Sequence, residues 1–216
     1  MTRGWCLALI ALACSVARAQ IEVSVGCKKI QLVLDEQLAP AERDRLWATG
    51  ETIAAAPAVL QLRDCGGEVL ETVPLEAPLA RLDAAVLQGA PHPTVLVTVD
   101  LTAEAGTYNG PLTRPFALRG NRLQPVQAKA ANGRTGPILL PLTGKAAWKK
   151  LRVGGRDQLL AVRSDWVDGR FITRFSRYVP ARQEWSVYVR SQAGLWESDG
   201  GFPSPNRFPT GARPHR

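Results

Sequence analysis

Two pairs of carboxylates lie at spacings that could support hydrolysis: Asp165 with Asp168, and Glu197 with Asp199. A glycosidase holds two carboxyl groups roughly 5 to 10 Å apart, one acting as the acid and the other as a base or nucleophile. The segment 165–169 is also typical of a turn, because Asp and Gly favour turns locally. A carboxylate-based hydrolase is therefore one hypothesis, beside the simpler interpretation that these residues build turns and pair with arginines.

The other residue types that carry catalysis are scarce. His92 lies between two prolines and His215 lies near the C-terminus, and no G-x-S-x-G stretch exists to partner a histidine. Zinc sites need three or four nitrogen or sulfur ligands, which the two histidines and the two cysteines after residue 20 do not readily supply. The sequence also has neither an Asp-rich calcium loop nor a glycine-rich phosphate loop. We therefore predict no metal, no cofactor and no catalytic residue.

Two cysteines remain after residue 20, Cys27 and Cys65, and we predict a disulfide between them. The N-terminus predicts export, and an exported chain meets an oxidising compartment. Nothing in the sequence resembles the Cys-x-x-Cys pattern of a redox pair. Closing a loop of about 38 residues contributes roughly 4 kcal/mol in the chain-entropy model.

Aromatic residues and arginines alternate with one another in the last third of the chain. Both types are enriched where proteins bind one another, and a guanidinium can stack on a ring or chelate a carboxylate. The alternative is that the rings fill the core and the arginines solvate the opposite face. The binding residues that we predict are Arg163, Trp166, Arg174, Arg177, Tyr188 and Arg190.

All of these residues except Trp166 belong to three runs that predict an antiparallel β-meander: 158–163, 170–178 and 184–190. Successive strand side chains point to opposite faces, and short Gly or Pro turns separate the runs. Phe171, Thr173 and Phe175 should share one face of their strand, and Trp185, Val187 and Val189 one face of theirs. We expect the rings to point inward and the guanidinium groups to gather on one outer side.

The rest of the chain is also typical of short strands, so the predicted fold class is mainly β, an antiparallel sandwich or barrel-like meander with little helix. A near-continuous apolar run at 94–101 indicates a central strand covered on both faces. A short helix is expected at 40–47, a strand or brief helix at 146–153, an irregular connection at 74–93 and a polar loop at 128–136. The remaining expected strands are 21–25, 30–34, 59–63, 69–73, 116–118, 123–126 and 138–142.

The N-terminus predicts export. Residues 1–19 combine an early Arg3, an apolar segment and an A-x-A site, so we expect a signal peptide cleaved after Ala19 and a periplasmic or secreted protein. Lipoprotein processing at Cys14 is the alternative. We assign 20–200 to a single mainly-β domain and 201–216 to a Pro- and Gly-rich tail anchored by Phe202 and Phe208 and disordered from Thr210. No later apolar run is long enough for a membrane helix.

A recurring pattern occupies the second half of the chain. It consists of the stretches 100–102, 106–113 and 195–199 and of the Phe-Pro pairs at 202–203 and 208–209. On these residues the chain between about 94 and 209 resembles an uncharacterised family of exported β-rich proteins of Gram-negative bacteria. The resemblance implies an envelope location and a β-rich fold, and it implies no catalytic residue and no ligand.

Positive charge is concentrated in the last third. The chain carries 27 Lys and Arg against 19 Asp and Glu, and the segment 145–216 alone has a net charge of +8. Such a surface favours an acidic partner, whereas no nucleic-acid-binding motif is present. We therefore expect a non-enzymatic binding protein, in concrete form an immunity or inhibitor protein for a toxin or envelope enzyme. A binder of anionic envelope polymer or lipid headgroups is the second hypothesis, and the sequence leaves the oligomeric state open.

Overall fold

A computed structural model describes residues 21–106 and 108–210, and within them the chain is mainly β, with 49% of residues in strands and 7% helical. The sheets are largely antiparallel, and no barrel closes in this part of the chain. The predicted mainly-β fold with little helix is therefore confirmed. The strands are β1 (Glu22–Val25), β2 (Lys28–Val33), β3 (Val59–Arg63), β4 (Val69–Pro74), β5 (Ala80–Leu82), β6 (Thr94–Val99), β7 (Leu112–Arg119), β8 (Arg122–Pro125), β9 (Gln127–Ala130), β10 (Thr135–Pro137), β11 (Leu140–Pro141), β12 (Ala146–Val153), β13 (Arg156–Val167), β14 (Arg170–Pro180) and β15 (Trp185–Ala193).

The first sheet has the order β1-β2-β3-β4, and all of its pairs are antiparallel. The predicted short helix, α1 (Pro40–Leu46), lies between β2 and β3, with Pro40 in its first turn, where the missing N–H costs nothing. Cys27 in the β1–β2 turn and Cys65 in the β3–β4 turn form the predicted disulfide, with their Cα atoms 4.9 Å apart. The bond ties the two hairpins of this sheet together at one end.

The second sheet has the order β11-β7-β6-β5, and β8 pairs with β7. Its strand β6 was predicted to be central, and it is bordered by β5 and β7. Strand β5 is a correction to the expected irregular connection at 74–93. It is short, but Ala80 and Leu82 are both buried, and its pairing partner β6 lies about 15 residues away, beyond what local pattern shows.

The third sheet has the order β10-β9-β15-β14-β13-β12, and it contains the predicted meander as β13, β14 and β15. The segment 146–153 is a strand rather than a helix. The polar loop expected at 128–136 is wrong, because β9 and β10 form a hairpin there and β9 pairs parallel with the start of β15. Within β9, Ala128 is the one fully buried residue, so little apolar pattern marks the strand.

The three sheets stack in layers, with the second sheet in the middle. Val95, Val97 and Val99 of β6 pack into one core cluster with β2 and β3, whereas Leu96 packs into another with Leu159 and Trp185 of the third sheet. Alternate β6 residues therefore face the two neighbouring sheets. This position explains the near-continuous apolar sequence of β6, since both of its faces are covered.

A third cluster covers the opposite face of the third sheet. Leu160, Val162 and Phe175 pack there against Phe208 of the C-terminal segment, with Phe202 at the edge of the cluster. Phe208 is 1% exposed, which confirms it as an anchor of the segment after residue 200. Two 3-10 turns, Ser198–Gly200 and Pro205–Arg207, bring the segment across the sheet.

The predicted signal peptide, its cleavage site, the alternative Cys14 site and residues 211–216 of the expected disordered end lie outside the described residues. Thr210, where that end was expected to begin, is described and exposed. Among the described residues, none of the helices has the length and apolar character needed to cross a membrane.

Candidate site on the outer face of the third sheet

The strand register assigns the meander side chains to two faces. Phe175 lies opposite Val162 on β13 and opposite Arg190 on β15, so these three side chains share one face. We call it the outer face, because the C-terminal segment covers part of it. The inner face carries Leu159, Ala161, Tyr178, Trp185 and Val187 against the second sheet.

The six predicted binding residues divide between these two faces. Trp166, Arg177, Tyr188 and Arg190 lie on the outer face, whereas Arg163 and Arg174, which are paired across β13 and β14, lie on the side of the inner face. The expectation that the rings point inward and the guanidinium groups gather on one outer side is therefore wrong. The reason is the relative register of β14 and β15, which places Arg174 beside Ser191 and Arg190 beside Phe175.

Arg163 and Arg174 are both engaged by one carboxylate. Arg163 Nε donates to Asp165 Oδ1 at 2.7 Å, and Arg174 Nη1 donates to Asp165 Oδ2 at 2.8 Å. The Asp165 side chain is 16% exposed, so most of the carboxylate is enclosed by its two partners. The Asp165 carboxylate thus offsets much of the charge of Arg163 and Arg174, which weakens their attraction for an external anion.

Arg190 and Arg207 form the centre of the candidate site, and we call them the arginine pair. Their Cζ atoms lie 5.7 and 5.0 Å from the centroid of the Phe175 ring, and Phe175 itself is 1% exposed. Arg190 Nη2 donates to the carbonyl of Arg207, and Arg207 Nη2 donates to Gln192 Oε1 at 3.1 Å. Among the described residues, neither guanidinium forms an ion pair.

Arg177 and Tyr188 extend the site along the sheet. They lie directly opposite each other in the β14–β15 register, and both are partly buried. Arg177 Nε donates to Gln158 Oε1 at 2.7 Å, a neutral acceptor that fixes the guanidinium without cancelling its charge. Three arginines that form no ion pair within the described part of the chain therefore lie on one face, beside a tyrosine.

Trp166 lies at the far end of the outer face, in a separate aromatic group. Its ring meets that of Phe171 edge to face with centroids 4.9 Å apart, and the Trp166 residue is 61% exposed. Lys145 Nζ lies 4.8 Å from the Phe171 centroid and 4.9 Å from that of Tyr108. Trp166 is thus held by its own neighbours and does not contact the arginine pair.

Sequence analysis missed Arg207. The residue comes from the C-terminal segment and reaches the sheet because the adjacent Phe208 is buried against Phe175. The centroids of these two rings are 5.5 Å apart. The sequence held a clue in Phe208, which was predicted to be an anchor, because a buried ring fixes the position of the residue before it.

The residues of the two carboxylate pairs lie in a strand and in turns. Asp165 is held by two arginines, and Asp168 has a φ of 49° in the β13–β14 turn, where Gly169 follows with a φ of 78°. Positive φ at both central residues is the geometry of a tight hairpin turn. Glu197 and Asp199 are exposed at a 3-10 turn. The predicted turn interpretation of 165–169 is confirmed at Asp168.

A cleft of about 230 Å³ lies elsewhere, between the segment after α1 and the β5–β6 edge, with Leu46, Ile53 and Leu79 among its walls. One of its two carboxylates, Asp100, accepts hydrogen bonds from Ala48 N–H and from the Thr102 hydroxyl. Both oxygens therefore hold the loops of the cleft. Within the described part of the chain, no group of three or more His, Cys, Asp or Glu side chains is placed to bind a metal ion.

Asp157 connects the third sheet to the loop before β6. Burial raises the pKa of this carboxyl, but the hydrogen bonds from Arg152 and from the Gln88 N–H, with the positive charges of Arg152 and Lys150, outweigh burial and leave the pKa below its ordinary value. The Asp157 N–H donates in turn to the Gln88 carbonyl at 2.8 Å. The ionised form is therefore the one that the fold stabilises.

Comparison with known proteins gives no match to any protein family, curated protein or solved structure.

Proposed function

We propose that this chain is an exported, non-enzymatic binding protein that holds an acidic protein partner against the arginine pair. In concrete form it is an immunity or inhibitor protein for a toxin or an envelope enzyme. The observation that carries the proposal is the pair of guanidinium groups, Arg190 and Arg207, which lie over the buried Phe175 ring and form no ion pair with any described residue.

The fixed geometry of the pair supports binding rather than simple solvation. A surface arginine loses side-chain entropy when a partner immobilises it, and that cost lowers affinity. Here the cost is partly met in the free protein, because Arg190 is bonded to the Arg207 carbonyl and Arg207 to Gln192. Arginines of this kind form strong bidentate pairs with carboxylates.

The contrast with Asp165 supports the same assignment. Arg163 and Arg174 share the carboxylate of Asp165, which compensates part of their charge. The arginine pair instead lies over the Phe175 ring, and its hydrogen-bond acceptors are the neutral Arg207 carbonyl and Gln192 Oε1. An external carboxylate would complete this site.

Export agrees with the disulfide between Cys27 and Cys65, because such bonds persist in oxidising compartments. The proposed location is the periplasm or the exterior, after cleavage near Ala19.

The test is capture of envelope proteins from the native host with three forms of the purified chain. The wild type should retain one stoichiometric protein, and the Arg190→Glu/Arg207→Glu variant should lose it. The matched control is Arg170→Glu/Arg182→Glu, the same total charge change at two exposed positions outside the pair. Loss of the partner from the control as well would show an effect of overall charge and contradict a site at the arginine pair.

The polymer or lipid alternative has a different signature. Binding to anionic vesicles or polymer would be carried by screened charge, so it should fall steeply with salt and should fall comparably in all arginine variants. Retention of vesicles without any stoichiometric protein would favour that alternative.

A further inference from the structure

The second half of β15 is an open sheet edge. Strand β9 pairs with Trp185, Ser186 and Val187, and no other strand of the described residues pairs with that side of β15 beyond Val187. The residues from Val189 to Ala193 are all exposed, and Val189 is 51% exposed. An exposed strand edge is a template for pairing with another chain.

The register shows which backbone groups face the open side. The Gly194 N–H donates to the Phe171 carbonyl at 2.9 Å, so these two residues form a hydrogen-bonded pair between β14 and the end of β15. Such pairs alternate along an antiparallel ladder, and Gln192, Arg190 and Tyr188 therefore direct their N–H and C=O groups to β14. Val189, Ser191 and Ala193 direct theirs away from the sheet.

We propose that this edge accepts an extended segment of the acidic partner as an additional strand, with backbone hydrogen bonds to Val189, Ser191 and Ala193. The proposal rests on the proposed function and names how the partner is held. The added strand would continue the position of β9, beyond the β9–β10 turn.

Side chains beside the edge define the chemistry of the segment. On the outer face the edge presents Tyr188, Arg190 and Gln192, with Arg207 bonded to Gln192. On the other face it presents Val189, Ser191 and Ala193. Because strand residues alternate between faces, a segment with acidic residues at alternate positions and small apolar residues between them matches both sides. The charge of the arginine pair thus selects the occupant of the edge.

The probe is an acetylated heptapeptide in which glutamate and valine alternate, and its control is a peptide of the same composition with the glutamates in one block. Amide hydrogen exchange of the full chain is followed by NMR with and without each peptide. In the free protein the amides of Val189, Ser191 and Ala193 should exchange fast, and those of Arg190 and Gln192 slowly. The alternating peptide should slow the fast set, and the block peptide should not.

Two substitutions separate the edge from the charge. Ser191→Pro removes an outward N–H while leaving the β14 ladder and every charge in place, so it should weaken the alternating peptide by roughly tenfold or more. Ser191→Ala is the matched control and should change binding less than roughly twofold, because the hydroxyl has no hydrogen-bond partner in the described part of the chain.

The outcomes are distinct. If Ser191→Pro binds the peptide like the wild type while Arg190→Glu/Arg207→Glu does not, the edge proposal is overturned and the arginine pair remains. If both variants bind like the wild type, the charge site fails as well. Protection of the same amides that grows with protein concentration and without peptide would assign the edge to a second copy of the chain and overturn the acidic occupant.

Discussion

Arg190 lies directly opposite Phe175 in the β14–β15 pair, and its guanidinium stands over the ring, with Arg207 over the same ring from the C-terminal segment. The ring is buried while both charges are without an ion pair among the described residues. Phe208 anchors the segment that carries Arg207. The packing that stabilises the outer face therefore also places one of the two arginines of the proposed binding site.

Truncating Phe208 should therefore affect both stability and the site. Phe208→Ala should lower the free energy of unfolding by about 3–5 kcal/mol, because a fully buried ring is lost from the third cluster. Denaturant unfolding measures the change. Phe202→Ala is the control and should cost less, since Phe202 is only partly buried. Equal losses for the two variants would contradict the anchoring role of Phe208.

The disulfide between Cys27 and Cys65 should stabilise the chain by roughly 4 kcal/mol, because it closes a loop with a sequence separation of 38 residues in the unfolded state. The Cys27→Ser/Cys65→Ser variant should unfold at correspondingly lower denaturant. A thiol reductant should shift the wild type to the same midpoint and leave the variant unchanged. A wild type indifferent to the reductant under denaturing conditions would argue against the bond.

Asp157 should make stability depend on pH. Its pKa is lowered in the folded chain, so its stabilising contribution is present above the unfolded value of about 3.9 and is lost as the pH falls through the folded pKa. Asp157→Asn should cost about 1–3 kcal/mol at neutral pH, because the hydrogen bonds with Arg152 and Gln88 are weakened. The difference between variant and wild type should shrink in acid. A constant difference from neutral pH to about pH 2 would contradict this.

Asp165 should serve structure and not turnover. Asp165→Ala leaves Arg163 and Arg174 facing each other without a carboxylate, and we expect a loss of about 1–2 kcal/mol in the free energy of unfolding. Removing one repelling arginine as well, in Asp165→Ala/Arg174→Ala, should restore part of the loss. Partner capture by the arginine pair should be unchanged. A glycosidase activity that is lost in Asp165→Ala would instead support the hydrolase hypothesis.

Local alternation made much of the third sheet predictable. Polar and apolar residues alternate over much of β14 and β15, β13 carries a continuous apolar run at 159–162, and the Asp168–Gly169 turn separates β13 from β14. The apolar run of β6 predicted a strand covered on both faces, which its position between two sheets explains. These features depend on neighbours in sequence, so the sequence displays them.

The register between neighbouring strands, which decides which of their faces coincide, was not predictable. Each strand shows which of its residues share a face, but the relation between two strands depends on their register, and a slip of one residue exchanges the faces. The register that pairs Pro180 with Trp185 puts Arg190 with Phe175 and separates it from Arg174. Arg207 was missed for a related reason, since its position depends on where Phe208 packs. Strands β5, β9 and β10 were missed because they are short, and β9 and β10 also have few buried residues.

The most direct measurement of the central claim is the dissociation constant of the captured partner for the Arg190→Glu/Arg207→Glu variant relative to the equally charged Arg170→Glu/Arg182→Glu variant, with both proteins shown to unfold at similar denaturant. Two hot-spot arginines reversed against an acidic surface should weaken binding by roughly a hundredfold or more, whereas the control should stay within a few-fold of the wild type. Equal dissociation constants for the two variants would contradict a recognition site at the arginine pair.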